Sequence, residues 1–293
     1  MTRIGVLGPG GVGGLLAARL GAAGHDVTVI ATENTAAEIT LRGLTFQSPG
    51  AAASTTFPAA RPWLAEPVDV LFVAVKATEL LPALQRVPAP ALGSAIVVPL
   101  LNGADHPAVL RAVYPEAAVV PASVVVEATR HRPGVIEQLS PAADLTVADG
   151  TPAGAEVAAL LSAAGLPVTT HPDENTVLWR KLSFLAPFAL LTTGADAPIG
   201  PARTQRRAWV RPLVEEAAAA AAVRSVTIDP DTVAARLEAA PETMKSSMQK
   251  DFQAHRTLEL EAIAGPVVRA LGTAKATTTV EAARVILDAQ AAR

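Results

Sequence analysis

Cysteine is absent from this chain of 293 residues, which excludes disulfides, thiolate metal sites and cysteine nucleophiles. The five histidines show no ligand spacing such as H-x-x-x-H, so no metal site is predicted. The formal net charge of −3 gives no electrostatic footprint for nucleic acid. Uncharged stretches such as 89–104 and 182–195 are broken by proline or glycine and do not supply the ~20 apolar residues of a membrane span. A soluble, cytoplasmic protein is predicted.

What the chain does have is a glycine-rich turn near its start. An apolar run over residues 4–7 leads into it, helix-forming residues follow over 15–20, and a β-branched run covers 26–31. Strand, turn, helix and strand within about thirty residues is the scale of one βαβ unit. Gly8, Gly10 and Gly13 occupy the three glycine positions of G-x-G-x-x-G.

In this motif the first glycine permits a tight turn, the second lets the backbone approach a pyrophosphate, and the third lets helix and strand pack closely. The N–H groups at the helix start, including those of Gly11 and Val12, would face the phosphates. A dinucleotide-binding site is predicted. An acidic residue at the end of the second strand would favour NAD, whereas an arginine would favour NADP. The sequence there contains Thr32 and Glu33 with no adjacent arginine, which leaves the choice open.

Further strand patterns cover residues 68–75, 94–101 and 118–127, and the segments 134–139 and 144–148 predict a hairpin-like extension. The first two deliver Lys76 and Asn102 to the carboxyl ends of strands, where open α/β sheets bind ligands. The pattern predicts an α/β fold with an N-terminal, Rossmann-type, doubly wound and mostly parallel sheet. From about residue 168 helical patterns dominate, so we predict a dinucleotide-binding domain over 1–167 and an all-helical domain over 168–293. The helices are predicted over 175–191, 204–223, 230–239, 241–271 and 279–292.

Lysine is scarce, with five in the chain, and Lys181 lies in a helix with little polar surface. Burial would lower its pKa toward neutrality, as suits a general acid for carbonyl reduction. The alternative is a lysine that reaches solvent or pairs with a carboxylate, and local sequence does not separate the two. Glu259 lies among apolar residues, so it either faces a cleft or is an ordinary surface glutamate.

Five motifs together resemble the ketopantoate reductase (2-dehydropantoate 2-reductase) family. They are the GxGxxG turn; Val75-Lys76-Ala77; Asn102-Gly103; Leu178-Trp179-Arg180-Lys181-Leu182; and Ser246-Ser247-Met248 followed by Glu259. The resemblance implies NADPH-dependent reduction of an α-keto acid to a 2-hydroxy acid, in pantothenate biosynthesis. It also implies a small-molecule keto-acid substrate and leaves a homodimer open.

By the same resemblance, Lys181 is the general acid and Glu259 orients the substrate and the lysine. Asn102 and Lys76 line the cofactor–substrate junction, and Ser247 contacts the substrate carboxylate. At three places the chain departs from the family pattern. Thr32 stands where the family commonly has the arginine for the 2′-phosphate of NADPH, Leu185 and Ala189 stand where it has substrate-binding asparagines, and Ala264-Gly265 replaces Asn-Gly.

These departures favour a related, more apolar keto substrate beside ketopantoate itself, and they do not exclude NAD. Two other functions are compatible with the sequence. One is a different 2- or 3-hydroxy-acid dehydrogenase of the same architecture. The other is a non-catalytic NADP(H)-binding sensor, although a sensor has no need of a proton donor at Lys181.

Overall fold

The computed structural model describes residues 1–292, so Arg293, the last residue of the predicted helical domain, lies outside it. The chain divides into two compact units. The first unit consists of Met1–Leu101 and His106–Val177, and the second consists of Asn102–Asp105 and the chain from Leu178 onward. The predicted boundary at 167/168 differs from this division, because residues 168–171 form a strand that pairs within the first unit.

The strands belong to the first unit and are numbered in chain order. They are β1 (Arg3–Leu7), β2 (Asp26–Ile30), β3 (Leu44–Gln47), β4 (Ser54–Thr56), β5 (Ala59–Arg61), β6 (Val70–Val73), β7 (Ile96–Pro99), β8 (Ala118–Val119), β9 (Ala122–Val125), β10 (Ala128–Arg132), β11 (Val135–Gln138), β12 (Asp144–Ala148) and β13 (Val168–His171). The helices are α1 (Gly11–Ala22), α2 (Glu33–Arg42), α3 (Leu80–Leu84), α4 (Ala89–Leu92), α5 (His106–Val113), α6 (Pro152–Ala163), α7 (Glu174–Gly194), α8 (Ile199–Gln205), α9 (Arg207–Val223), α10 (Pro230–Ala239), α11 (Ser247–Gln253), α12 (Leu260–Leu271) and α13 (Thr277–Ala291).

A six-stranded parallel sheet forms the centre of the first unit, in the order β5-β2-β1-β6-β7-β8. Apolar side chains project from both faces of this sheet. Ile4 and Val6 of β1 join a core that includes α1 and α6, whereas Leu71 and Val73 of β6 join a second core with α3, α4 and α5. The predicted doubly wound parallel sheet is confirmed. Its strand order reverses at β1, which is the switch point where such sheets bind ligands.

Two smaller sheets accompany the central one, in the orders β10-β11-β3-β4 and β13-β12-β9. The predicted hairpin of 134–139 with 144–148 is wrong, because β11 pairs with β10 and β3, and β12 pairs with β9 and β13. Just after β11 the N–H of Leu139 donates to the carbonyl oxygen of Glu127, at 2.7 Å, so the chain continues alongside the segment before β10 and does not turn back to pair with β12. The predicted strand over 118–127 is divided into β8 and β9 near Pro121, which has no N–H to donate to a sheet.

The second unit is helical and has its own apolar core, with contributions from α7 through α13. The single helix predicted over 241–271 is two helices in the structure. Ser246 caps α11 by accepting a hydrogen bond from the N–H of Gln249, at 3.0 Å, and His255, just past α11, has φ of 53°. Among the described residues no single helix has the length and composition of a membrane span; α7 and α8 meet that criterion only together, across a 77° bend.

Candidate active site

The glycine turn between β1 and α1 is the first element of the candidate site, and it lies at the switch point of the central sheet. Gly8 has φ of +88°, and a side chain there would collide with Val75, so only glycine fits. Its N–H donates to the carbonyl oxygen of Ile30 at 3.0 Å, which ties the turn to the end of β2. At Gly13 a Cβ would press on the carbonyl oxygen of Gly8, so this glycine permits close packing of α1 against the turn.

Gly10 differs from its neighbours because a Cβ added there would meet no protein atom within 4 Å. Packing within the protein therefore does not require glycine at this position, whereas the close approach of a pyrophosphate would. Gly10 is also the N-cap of α1, and no side chain caps that helix. A Cβ added at Gly11 would collide with the carbonyl oxygen of Ala128, and Val12 is partly buried against the core. The turn thus fits a dinucleotide phosphate.

The end of β2 is the second element, and here the structure adds a residue that the sequence did not indicate. Thr32 is the N-cap of α2, and its hydroxyl lies 3.1 Å from that of Thr35. Arg86, from the segment between α3 and α4, donates to both carboxylate oxygens of Glu33, at 3.1 and 3.3 Å. An arginine is therefore present beside the end of β2, supplied from a distant part of the chain.

Lys76 follows β6, the neighbour of β1 in the sheet, and its side chain is exposed. It is the residue before a 3₁₀ turn over Ala77–Glu79. The strand register places Leu7 of β1 opposite Val73 of β6. Lys76 and the glycine turn therefore both lie at the carboxyl ends of neighbouring parallel strands. Its contact with a cofactor stays a prediction.

In the second unit the structure brings together Lys181, Glu259 and Asn102, which the sequence separates widely. Asn102 donates from Nδ2 to Oε2 of Glu259 at 3.1 Å, and Glu259 is buried, at 5% exposed. Lys181 is partly buried in the middle of α7. Burial lowers the pKa of its ammonium from 10.5 to about 8, and the negative charge of Glu259 limits this fall. The result is a lysine that carries a transferable proton near neutral pH.

The loop that holds Asn102 is fixed to α12 within the same unit. Gly103 has φ of +99°, and a Cβ there would collide with the carbonyl oxygen of Ala262. Two residues on, Asp105 accepts a hydrogen bond from Nε of Arg269 at 3.0 Å. These contacts hold the amide of Asn102 against Glu259.

The two serines of the Ser-Ser-Met motif differ in their surroundings. Ser246 is buried, and its hydroxyl lies 2.8 Å from that of Thr192 while it caps α11. Ser247, predicted to contact the substrate, is exposed at the start of α11. That assignment stays a prediction. The two positions at which the family pattern has asparagines are Leu185 and Ala189 in this chain, and their surroundings are apolar too. Ala189 is fully buried in the helical core, and Leu185 packs against that core.

Comparisons with known proteins cover nearly the whole chain. The family model described as ketopantoate reductase PanE/ApbA matches residues 4–151, and its C-terminal counterpart matches residues 173–286. A 2-dehydropantoate 2-reductase of Mycobacterium tuberculosis is 34% identical over 274 residues, which cover 92% of this chain and 90% of that protein. The chain belongs to the ketopantoate reductase family. The resemblance inferred from the five motifs is confirmed.

Solved structures agree with this family fold. A PanE/ApbA family ketopantoate reductase from Ralstonia eutropha JMP134 superposes with a TM-score of 0.88 at 25% identity, covering 99% of this chain and 98% of the other. A ternary structure of D-mandelate dehydrogenase with NADH and anilino(oxo)acetate shares the fold at a TM-score of 0.86 and 21% identity, with 99% and 98% covered. As a member of the ketopantoate reductase family, the protein is an oxidoreductase that binds a nicotinamide cofactor.

Proposed function

We propose that this protein uses NADPH to reduce an α-keto acid to a 2-hydroxy acid, with 2-dehydropantoate, which gives pantoate, as the first candidate substrate. One observation carries the proposal: a partly buried lysine of lowered pKa lies in the field of a buried glutamate that an asparagine holds in place. This constellation supplies a proton donor and a means of orienting it, which carbonyl reduction requires.

Lys181 is the general acid in this proposal. When bound, the reduced nicotinamide supplies a hydride to the carbonyl carbon. The carbonyl bond then gives up its electron pair to oxygen, and Nζ of Lys181 donates a proton to that oxygen, which leaves a neutral amine. The ammonium also stabilises negative charge that exists only as the carbonyl is reduced, so its effect falls on the transition state. Proton transfer from a placed acid contributes roughly 10²–10⁴ in rate.

Glu259 and Asn102 position this chemistry. The carboxylate of Glu259 raises the pKa of Lys181 against the effect of burial, and so keeps the lysine charged at neutral pH. Asn102 occupies one oxygen of that carboxylate, which fixes the plane of the group. The other side of the carboxylate is proposed to orient the substrate, and Ser247 is proposed to contact the substrate carboxylate.

The polar shell expected for pantoate is reduced in this chain, which supports a second candidate substrate. Leu185 lies one helical turn beyond Lys181 on α7, and Ala189 lies one turn further, so neither can hydrogen-bond a hydroxyl or carboxylate. Since Ala189 is fully buried, the partly buried Leu185 is the position of the two that a substrate would contact, and a branched or aromatic 2-keto acid would fit it better than the hydroxyl of ketopantoate. The same residues would perform the same reaction.

The test is a panel of keto acids, ketopantoate and branched and aromatic 2-keto acids among them, assayed with NADPH and with NADH. Turnover of at least one, with loss of activity in Lys181→Met and NADPH binding kept, is the expected result. The matched control is Lys245→Met, because Lys245 is exposed and bonds only to the side chain of Gln253 among the hydrogen bonds described for it, at 3.1 Å. Cofactor binding without turnover of any keto acid would instead favour the NADP(H)-binding sensor.

A further inference from the structure

Arg86 is held at the end of β2 by groups from several parts of the first unit. Its Nη1 lies 3.3 and 3.0 Å from the carbonyl oxygens of Ala31 and Pro62, and it shares its two hydrogens between these oxygens and the carboxylate of Glu33. Its guanidinium lies over the ring of Trp63, with 5.2 Å to the ring centroid. The side chain is only 21% exposed. An arginine fixed by two carbonyls and an aromatic face has lost most of its rotamer freedom before any ligand arrives, which favours tight anion binding.

The place where Arg86 is held matters for the cofactor. Ala31 directly follows β2, whose end is where Rossmann-type folds recognise the adenosine ribose. The residue at that end in this chain is Thr32, which carries no charge for a phosphate. Arg86 brings a guanidinium to the same backbone position from 55 residues away in the sequence.

Glu33 is the anion that Arg86 binds in this structure. The two groups are joined by parallel hydrogen bonds from Nη1 and Nη2 to the two carboxylate oxygens, at 3.1 and 3.3 Å. This fork geometry is the one that arginine uses for phosphate as well as for carboxylate. The side chain of Glu33 is 62% exposed, whereas that of Arg86 is largely covered. Glu33 is therefore free to turn into solvent while Arg86 stays where it is.

We propose that Arg86 binds the 2′-phosphate of NADPH in place of the Glu33 carboxylate, and that this pair sets the preference between NADPH and NADH. With NADH, Glu33 remains beside the ribose, where a carboxylate accepts hydrogen bonds from the hydroxyls. With NADPH, the phosphate takes the two donor groups of Arg86 and the carboxylate moves out. The inference rests on the proposed use of NADPH, and it adds a residue that the motif at the end of β2 does not contain.

The test measures binding of NADPH and NADH by calorimetry without any keto acid, because the two cofactors differ only in the 2′-phosphate. Arg86→Gln is expected to weaken NADPH binding about 10- to 100-fold, the value of a charge-assisted hydrogen bond, and to change NADH binding less than about threefold. Glu33→Gln is expected to tighten NADPH binding, since the competing carboxylate is gone. Arg86→Lys keeps the charge without the fork and should fall between the wild type and Arg86→Gln.

The matched control is Arg42→Gln, because Arg42 pairs with Glu38 on α2, at 3.0 Å, in an exposed position. It should leave both cofactors unaffected. Equal weakening of NADPH and NADH by Arg86→Gln would show a purely structural arginine and overturn the proposal, as would NADPH binding unchanged in that variant. If Arg86→Gln unfolds at a lower temperature than the wild type, the NADPH affinities of Arg86→Lys and Glu33→Gln test the proposal in its place. Keto-acid turnover that persists with NADH would leave the proposed chemistry intact even where this inference fails.

Discussion

The lowered pKa of Lys181 predicts how the reaction responds to pH. A general acid must carry its proton, so the rate of keto-acid reduction should fall as pH rises through about 8, the pKa that burial gives this ammonium. At pH 9.5 a group of pKa about 8 is about 3% protonated, whereas a lysine of ordinary pKa is about 90% protonated. The expected rate is therefore about thirtyfold below that of an unperturbed lysine at the same pH.

The same burial has a cost in stability. A fall in pKa from 10.5 to about 8 corresponds to about 3 kcal/mol against the charged lysine in the folded protein. Because the folded pKa lies below the unfolded one, this penalty is fully present below pH 8 and is relieved as pH rises toward 10.5. The group should thus become less destabilising over the pH range in which the reduction rate declines.

The assay is kcat/KM for the keto acid at saturating NADPH, measured from about pH 6 to about pH 10, with unfolding followed over the same range. The reverse oxidation provides an internal check, because it needs the neutral amine as a base and should rise through the same pH. A forward rate that stays constant to pH 9.5 in folded protein would refute the assignment of Lys181 as the proton donor.

Four further variants test separate parts of the structure. Glu259→Gln removes the charge that raises the pKa of Lys181, so the alkaline fall in rate should begin below pH 8; a shift to higher pH would contradict this. Gly10→Ala should keep the unfolding temperature of the wild type yet weaken NADPH binding. Gly8→Ala should instead lower the free energy of unfolding by about 1–2 kcal/mol or more. Equal stability of the two variants would contradict the different roles assigned to these glycines. Glu216→Ala deletes the acceptor of three hydrogen bonds at the start of α13 and should lower the free energy of unfolding by about 2–3 kcal/mol in urea, without altering the pH profile.

Sequence patterns predicted the parts of the molecule that local residues determine. The glycine turn and the central strands are encoded by residues that are neighbours in the chain, so spacing and composition were sufficient. The association of Asn102 with Glu259 joins positions 157 residues apart, and the sequence did not predict it; the resemblance to a family assigned the two residues separate roles. Arg86 was missed for the same reason, because it reaches Glu33 across 53 residues and no motif marks it.

Errors in the second half of the chain have a different origin. Helix-forming residues fill 241–271, but a serine cap and a residue with positive φ interrupt the helix, and propensity summed over a window does not register either feature. The strand β13, Val168–His171, was missed because it has only four residues, three of which are polar. Its pairing with β12 is a tertiary interaction that outweighs weak local preference.

The loop Asn102–Asp105 makes the second unit discontinuous along the chain. In the sequence it lies between two segments of the first unit, yet its asparagine donates the hydrogen bond to Glu259. A fragment beginning at Leu178 would contain Lys181 and Glu259 but lack the amide that hydrogen-bonds to Glu259. Exchange of whole units between relatives must therefore include these four residues as well, or the hybrid loses the hydrogen bond from Asn102 to Glu259.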